Sequence, residues 1–275
     1  MKISNEFKSS STLNFNTLIK EKIKKGEKII SLGLGEPDFE TPYEIVQATI
    51  DALKNGFTKY SDSKGLPALR EKIATKFQSE NNITVSPDNI VVTLGAKQAI
   101  LISLMAILRP GDEIINFSPC YVSYIPQIKI AEPDCTILNI DHIKNDFSFP
   151  IDNLKSAINS KTKAILINYP HNPLGKVLSK SEVYDLITIL ENYPKCYIIS
   201  DEIYEYLNFS NSQHFSIQSF NEFKNRVFTI NGFSKSYSMT GWRIGYMSVP
   251  PDCIQIVSNL LQHMNTNIPT FIQKG

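Results

Sequence analysis

NIVVTLGAKQAILISLMAILRPGDEIINF, residues 89–117, contains a strand, a helix and a second strand. NIVVTL (89–94) is a short β-branched run of the kind a sheet buries. AKQAILISLMAIL (96–108) is too long for a strand and apolar on nearly every side, which predicts a helix lying inside the molecule. RPGD then turns the chain, and EIINF opens the next strand. From about Pro42 the same alternation recurs, with further strands expected at CTILNI (135–140), KAILIN (163–168), CYIIS (196–200) and RVFTIN (226–231). Helical spacing covers 43–55, 66–80 and 179–192, the last opening on a capping box of Ser179 and Glu182. Together these predict an α/β fold: a mainly parallel sheet sandwiched by helices. Residues 1–41 have little periodicity outside LIKEKIKKGEKIISL (18–32), which reads as a short helix and an extended arm. We therefore expect 1–41 to form an N-terminal arm with part of a smaller domain, and 42–275 to form the large domain.

The balance of 28 Lys and Arg against 27 Asp and Glu, net +1, leaves no electrostatic footprint for nucleic acid or an anionic membrane. The start, MKISNEFKSSSTLNF, has no signal core, and no apolar run approaches the ~18 residues of a spanning helix. A cytosolic protein with neither partner is expected. Cys120, Cys135, Cys196 and Cys253 are far apart with no CxxC pair, which predicts small core residues. Gly33 and Gly35 begin a dinucleotide-like fingerprint, but Asp38 stands at its third glycine and no helix opens there. HExxH, GxSxG and GxxxxGK[ST] are all absent, and His142, His171, His214 and His263 are scattered, so no metal site is expected.

Polar residues follow three of the expected strands, the place where open parallel sheets bind ligands. NYPHNPLG follows KAILIN, DEIYE follows CYIIS, and GFSKSYSMTGWRIGY follows RVFTIN. They supply Asn172, Asp201 with Tyr204, and Lys235 with Arg243. Gly95 and Ala96 add unhindered amides at a helix N-terminus, a ready anion site. Singly each has a commonplace alternative: Asp201 as a turn residue, Tyr204 as an amphipathic core residue, Lys235 as a solvated lysine, Arg243 as half of an ion pair. Jointly they match pyridoxal phosphate, which needs a lysine for a Schiff base, a carboxylate for its pyridinium and a cationic cup for its phosphate.

At this point the chain resembles the class I/II pyridoxal-phosphate aminotransferases of fold type I. NYPHNPLG, SDEIYE and NGFSKSYSMTGWRIGY look like that family's signature segments, and LGLGEPDFETP, KYSDSKGLPALREKI and TLGAKQAI like its earlier ones, in order along essentially the whole chain. The resemblance implies pyridoxal 5′-phosphate as cofactor and exchange of an amino group between an amino acid and a 2-oxo acid. It makes Lys235 the Schiff-base lysine and proton carrier, Asp201 the partner of the ring nitrogen, and Asn172 and Tyr204 the partners of the 3-oxygen. Tyr121 would stack on the ring. Gly95, Ala96, Lys97, Ser234 and Arg243 would line the cofactor site, the first two and the arginine around its phosphate. Tyr60 would reach the phosphate of a neighbouring subunit, implying a homodimer. Gly35 and Asn172 would lie beside the substrate. KSSSTLNFN (8–16), with Ser10 and Thr12, and Lys97 resemble the prokaryotic-type aspartate aminotransferase branch, which uses such residues for a distal carboxylate.

The sequence also departs from the family. Gly232 stands where many relatives have a phosphate-binding serine, His171 and Leu174 replace the asparagine and threonine of NNPTG, and Ile268 takes an asparagine position. A C–S lyase on the same scaffold and a non-catalytic cofactor-binding protein are the alternatives. Of the four arginines, Arg70, Arg109, Arg226 and Arg243, none is well placed for a substrate α-carboxylate. In the family that arginine belongs to a C-terminal small domain, so we expect that domain to be missing here, with IQIVSNLLQHMNTNIPTFIQKG ending like an interrupted helix.

Overall fold

Side chains alternate between the two faces of a strand, and in the central strands the alternation builds two cores. Along β2 (Glu113–Ser118) Ile114 enters one apolar cluster and Ile115 the other. On β4 (Thr162–Asn168) Ala164 and Leu166 oppose Ile165 and Ile167, and on β5 (Tyr197–Asp201) Ile199 opposes Ile198. Strands covered on both faces read as continuous apolar runs, which is why these three are legible. The first face is covered by α4 (Ala96–Ile107), α5 (Tyr124–Ala131) and α8 (Ile254–Met264), the second by α6 (Ile151–Ala157) and α7 (Lys180–Glu191). α4 buries Ile100, Ile102 and Leu104 completely. At about 1.5–3 kcal/mol for each buried aliphatic side chain, it is a principal anchor of that face.

This computed structural model describes residues 11–33, 35–142, 146–210 and 213–275. The remaining elements are α1 (Ser11–Lys24), α2 (Tyr43–Lys54), α3 (Pro67–Asn81), β1 (Ile90–Thr93), β3 (Thr136–Asp141), β6 (Val227–Gly232) and β7 (Gly245–Ser248). The sheet order is β1-β7-β6-β5-β4-β2-β3. Every neighbouring pair from β6 to β3 is parallel, and β7 is antiparallel to both β1 and β6. The expected mainly parallel sheet sandwiched by helices is therefore the one observed.

Four details differ from the sequence expectation. β7 begins inside GWRIGY, where a strand-end loop was expected; four residues starting at a glycine carry no period. α5 and α6 are short, and Pro126 inside the first turn of α5 hides its helical pattern, though a helix tolerates proline there. α1 starts at Ser11 rather than near Leu18, and ends at Lys24. α8 ends at Met264, and a turn leads to a single 3-10 turn at Ile272–Lys274 rather than to more helix. Cys135, Cys196 and Cys253 are buried, whereas Cys120 is only half-buried and accepts a contact from Asn116 Nδ2 at 3.4 Å.

The antiparallel β7 places the site. Its first residue, Gly245, pairs with Thr93 at the end of β1 and with Gly232 at the end of β6. One edge of the sheet thereby gathers the carboxyl ends of β1, β4, β5 and β6 around the start of β7.

Candidate active site

α4 starts at this edge because Gly95, with φ 77°, turns the chain through a conformation that favours glycine. The amides of Ala96 and Lys97, in the first turn, have no partner inside the helix and carry the positive end of its dipole. Arg243, also left-handed at φ 57°, lays its guanidinium across Gly95, with Nη1 donating to Thr240 O at 2.9 Å and Nη2 to Leu94 O at 3.3 Å. A Cβ on Gly95 would stand 2.6 Å from Arg243 Nη2, and one on Gly245 would stand 2.7 Å from the Ala96 nitrogen. The cup exists because both positions lack a side chain. Gly245→Ala is expected to cost about 1–3 kcal/mol in a thermal melt and to weaken cofactor binding, since backbone must move. Gly35→Ala is the control: its Cβ would meet no atom of the described residues within 4 Å, so no close contact among them requires Gly35 to be small.

At the other end of the cavity Asp201, the last residue of β5, is only 4% exposed. Tyr124 donates to its Oδ2 at 2.7 Å and the Ile203 amide to its Oδ1 at 3.3 Å. Burial pushes its pKa up to about 6; these two hydrogen bonds hold it down and the Glu202 charge raises it. Asn168, at the end of β4, ties the neighbouring loops together, with its Nδ2 donating to Asp201 O at 2.8 Å and its Oδ1 accepting from the Asn172 amide at 2.9 Å. Asn172 Nδ2 in turn donates to the Tyr204 hydroxyl at 3.1 Å. Burial, then the Asp201 charge, pushes Tyr204 up to about 12, so its hydroxyl remains a donor at neutral pH.

Lys235 follows β6 by three residues, and its ammonium donates to the carbonyl of Gly35, which brings the N-terminal arm over the cavity. Burial lowers the Lys235 pKa, favouring the neutral amine. Tyr121 sits edge-on to Tyr124 with ring centroids 5.4 Å apart, and Lys97 Nζ lies 5.6 Å from the centre of the Tyr121 ring. Ala96, Lys97, Tyr121, Asn172, Asp201, Tyr204, Ser234, Lys235 and Arg243 thus line one cavity of about 540 Å³, with Tyr124, Asn168 and Thr240. Gly35 belongs to the adjoining space, which also touches Asn172, Tyr204 and Lys235.

One expected site residue lies elsewhere. Tyr60 is 87% exposed and stands beside residues 267–271, outside this cavity. Ser10 and the side chain of Thr12 fall outside the described residues. Three polar lining residues were missed. Tyr124 was passed over as one of two tyrosines in SPCYVSY, Asn168 as the tail of an apolar strand, and Thr240 as loop. The usable signal was Asn168, a polar residue ending a fully buried run. The departures are absorbed by packing. A Cβ on Gly232 would stand 3.0 Å from Gly245 Cα, Ile268 is fully buried, and His171 packs on His142 at 4.8 Å with its pKa lowered by burial to about 4.

The donor set fits one kind of cofactor: a cationic, amide-lined cup for a dianion at one end, a buried carboxylate for a ring cation at the other, and a desolvated lysine between. Comparison with known proteins agrees. The sequence matches the aminotransferase class I and II family over residues 27–274. It is 42% identical over 266 residues to an aspartate aminotransferase of Bacillus sp. (strain YM-2), covering 96% of this chain and 67% of that protein. To a probable aspartate/prephenate aminotransferase of Aquifex aeolicus it is 41% identical, covering 98% of this chain and 68% of the relative. The structure superposes on an aspartate aminotransferase from Thermus thermophilus with maleate at a TM-score of 0.91 and 35% identity, covering 97% of this chain and 69% of that one. The chain thus spans about two thirds of the length of these relatives.

The chain belongs to the class I and II aminotransferases. It is a pyridoxal 5′-phosphate-dependent enzyme of fold type I.

Proposed function

We propose that this aminotransferase takes its amino group from aspartate or a similar acidic amino acid, and that residues 42–275 form the cofactor domain with 1–41 as an arm of a second lobe. The observation that carries the substrate is Lys97, a cation standing at the mouth of the cavity over Tyr121. The relatives named for aspartate, and the Thermus structure bound to the dicarboxylate maleate, support it.

In this reading the Ala96 amide and Arg243 hold the phosphate, Ser234 and Tyr121 flank the cofactor, Asp201 faces the ring nitrogen, and Asn172 and Tyr204 face the 3-oxygen. Bound pyridoxal phosphate supplies a carbonyl for imine exchange and an electron-withdrawing ring. Lys235, released as an amine, takes the proton from the substrate Cα, and burial suits it to that task by lowering its pKa. The Tyr204 hydroxyl keeps its proton and so donates rather than repels. Arg70, Arg109 and Arg226 direct their guanidinium groups to backbone carbonyls. We place Gly35 and Asn172 beside the substrate carboxylate. Tyr60, exposed and outside the cavity, is assigned to a second copy of the chain in a homodimer.

Lys97 is exposed, so water screens its attraction for a distal carboxylate to about 0.2–1 kcal/mol. Lys97→Ala is accordingly expected to raise KM for aspartate about 1.4- to 5-fold and to leave that for alanine unchanged. Equal changes for the two substrates would overturn the assignment. Release of a 2-oxo acid without ammonia separates amino transfer from the lyase chemistry open to the same scaffold.

A further inference from the structure

Tyr124 is fully buried at the first position of α5, with its ring packed edge-on against Tyr121. Its hydroxyl reaches 77 residues along the chain to Asp201 Oδ2 at 2.7 Å, the shorter of the two hydrogen bonds that the carboxylate receives. Burial and the Asp201 charge hold the Tyr124 pKa well above its ordinary value, so this phenol is a permanent donor. A permanent donor stabilises a carboxylate and not the carboxylic acid oxygen it would meet after protonation.

We propose that Tyr124 is a positioning residue that aims the Asp201 carboxylate and keeps the proton shared with the cofactor on the ring nitrogen rather than on Asp201. The inference rests on the assignment of Asp201 to that nitrogen. One proton and two sites are involved: carboxylate with protonated nitrogen, or carboxylic acid with neutral nitrogen. No other bond is made or broken. The charged and titratable groups around Asp201 are Tyr124, Tyr204 and Glu202. Glu202 opposes the ionised form, but its carboxylate is turned to Ser200, His214 and Ser216. Tyr124 therefore supplies the strongest side-chain stabilisation of the ionised form. A hydrogen bond to a charged group is worth about a 10- to 100-fold shift in that ratio.

The test is the ¹⁵N resonance of ring-labelled pyridoxal phosphate bound to the wild-type protein, Tyr124→Phe and Asp201→Asn, followed with pH. Tyr124→Phe keeps the ring and its packing, so a merely structural role would leave the resonance in place. The wild type is expected at the protonated position, Asp201→Asn at the neutral one, and Tyr124→Phe displaced from the first toward the second. A Tyr124→Phe resonance superimposed on wild type overturns the role of Tyr124 alone, whereas an unchanged Asp201→Asn resonance removes Asp201 from the ring nitrogen and the inference with it. The same question is put to the cofactor-free protein by ¹³C titration of the Asp201 carboxyl, which keeps the test alive if Tyr124→Phe holds cofactor poorly. Its acid constant should fall about tenfold or more in Tyr124→Phe, and an unchanged titration counts against the proposal.

Discussion

Lys235→Ala is expected to lose every trace of borohydride-fixed pyridoxal phosphate at residue 235 and to lower amino transfer on the order of 10⁴-fold. The expectation follows from where the amine stands. Lys235 and Lys97 are the two lysines lining the cavity, and they differ in environment. Lys97 is exposed over the Tyr121 ring, whereas Lys235 is partly desolvated and its pKa is lowered by that burial. An amine attacks a carbonyl only when unprotonated, so burial selects Lys235 for attachment. The rate of attachment to cofactor-free protein should accordingly rise with pH and reach half its maximum below the ~10.4 of an ordinary lysine. Peptide mass mapping after reduction reads the site directly. Label recovered on Lys97 in the wild type would overturn the argument that desolvation selects the attachment site.

How much of this was visible in the sequence depends on how far apart the cooperating residues lie. The parallel strands were legible because burial on both faces makes them continuous apolar runs, as in KAILIN and CYIIS. β7 was not, since GYMS carries no pattern that distinguishes it from the loop before it; yet Gly245 at its start closes the cup around Gly95 and Arg243. Asn172, Asp201 and Lys235 were legible as polar punctuation after three successive runs, and β4, β5 and β6 are neighbours in the sheet. Local order in sequence thus became adjacency in space. Tyr124 was illegible for the opposite reason: its partner is 77 residues away, and only the packing of α5 on the sheet brings the two together. Asn168 was hidden because its work, joining the loop at Asn172 to the backbone of Asp201, is done by a side chain inside a strand.

Asp201→Ala should retain the cofactor but lower turnover by about 10²–10³-fold or more, because the charge that favours a protonated ring is gone. The same carboxylate carries a measurable cost of its own. Its pKa is about 6 in the folded protein against an ordinary 3.8, so the native state holds its proton over a range where the unfolded chain has released it. For a group raised in this way the stabilising contribution is complete below about pH 4 and is lost as pH climbs through about 6. Above that, the ionised and cofactor-free Asp201 costs about 3 kcal/mol. Removing the charge with Asp201→Asn should therefore stabilise the cofactor-free protein at pH 8 and give little or no gain at pH 4. With pyridoxal phosphate bound the sign reverses at pH 8, since the substitution removes the carboxylate–ring-cation pair that forms when the cofactor binds. Paired thermal melts of wild type and Asp201→Asn, with and without cofactor at the two pH values, measure all four terms. A substitution that is neutral or destabilising in the cofactor-free protein at pH 8 would mean that Asp201 is stabilised by its surroundings alone, and is not held in reserve for a ring cation.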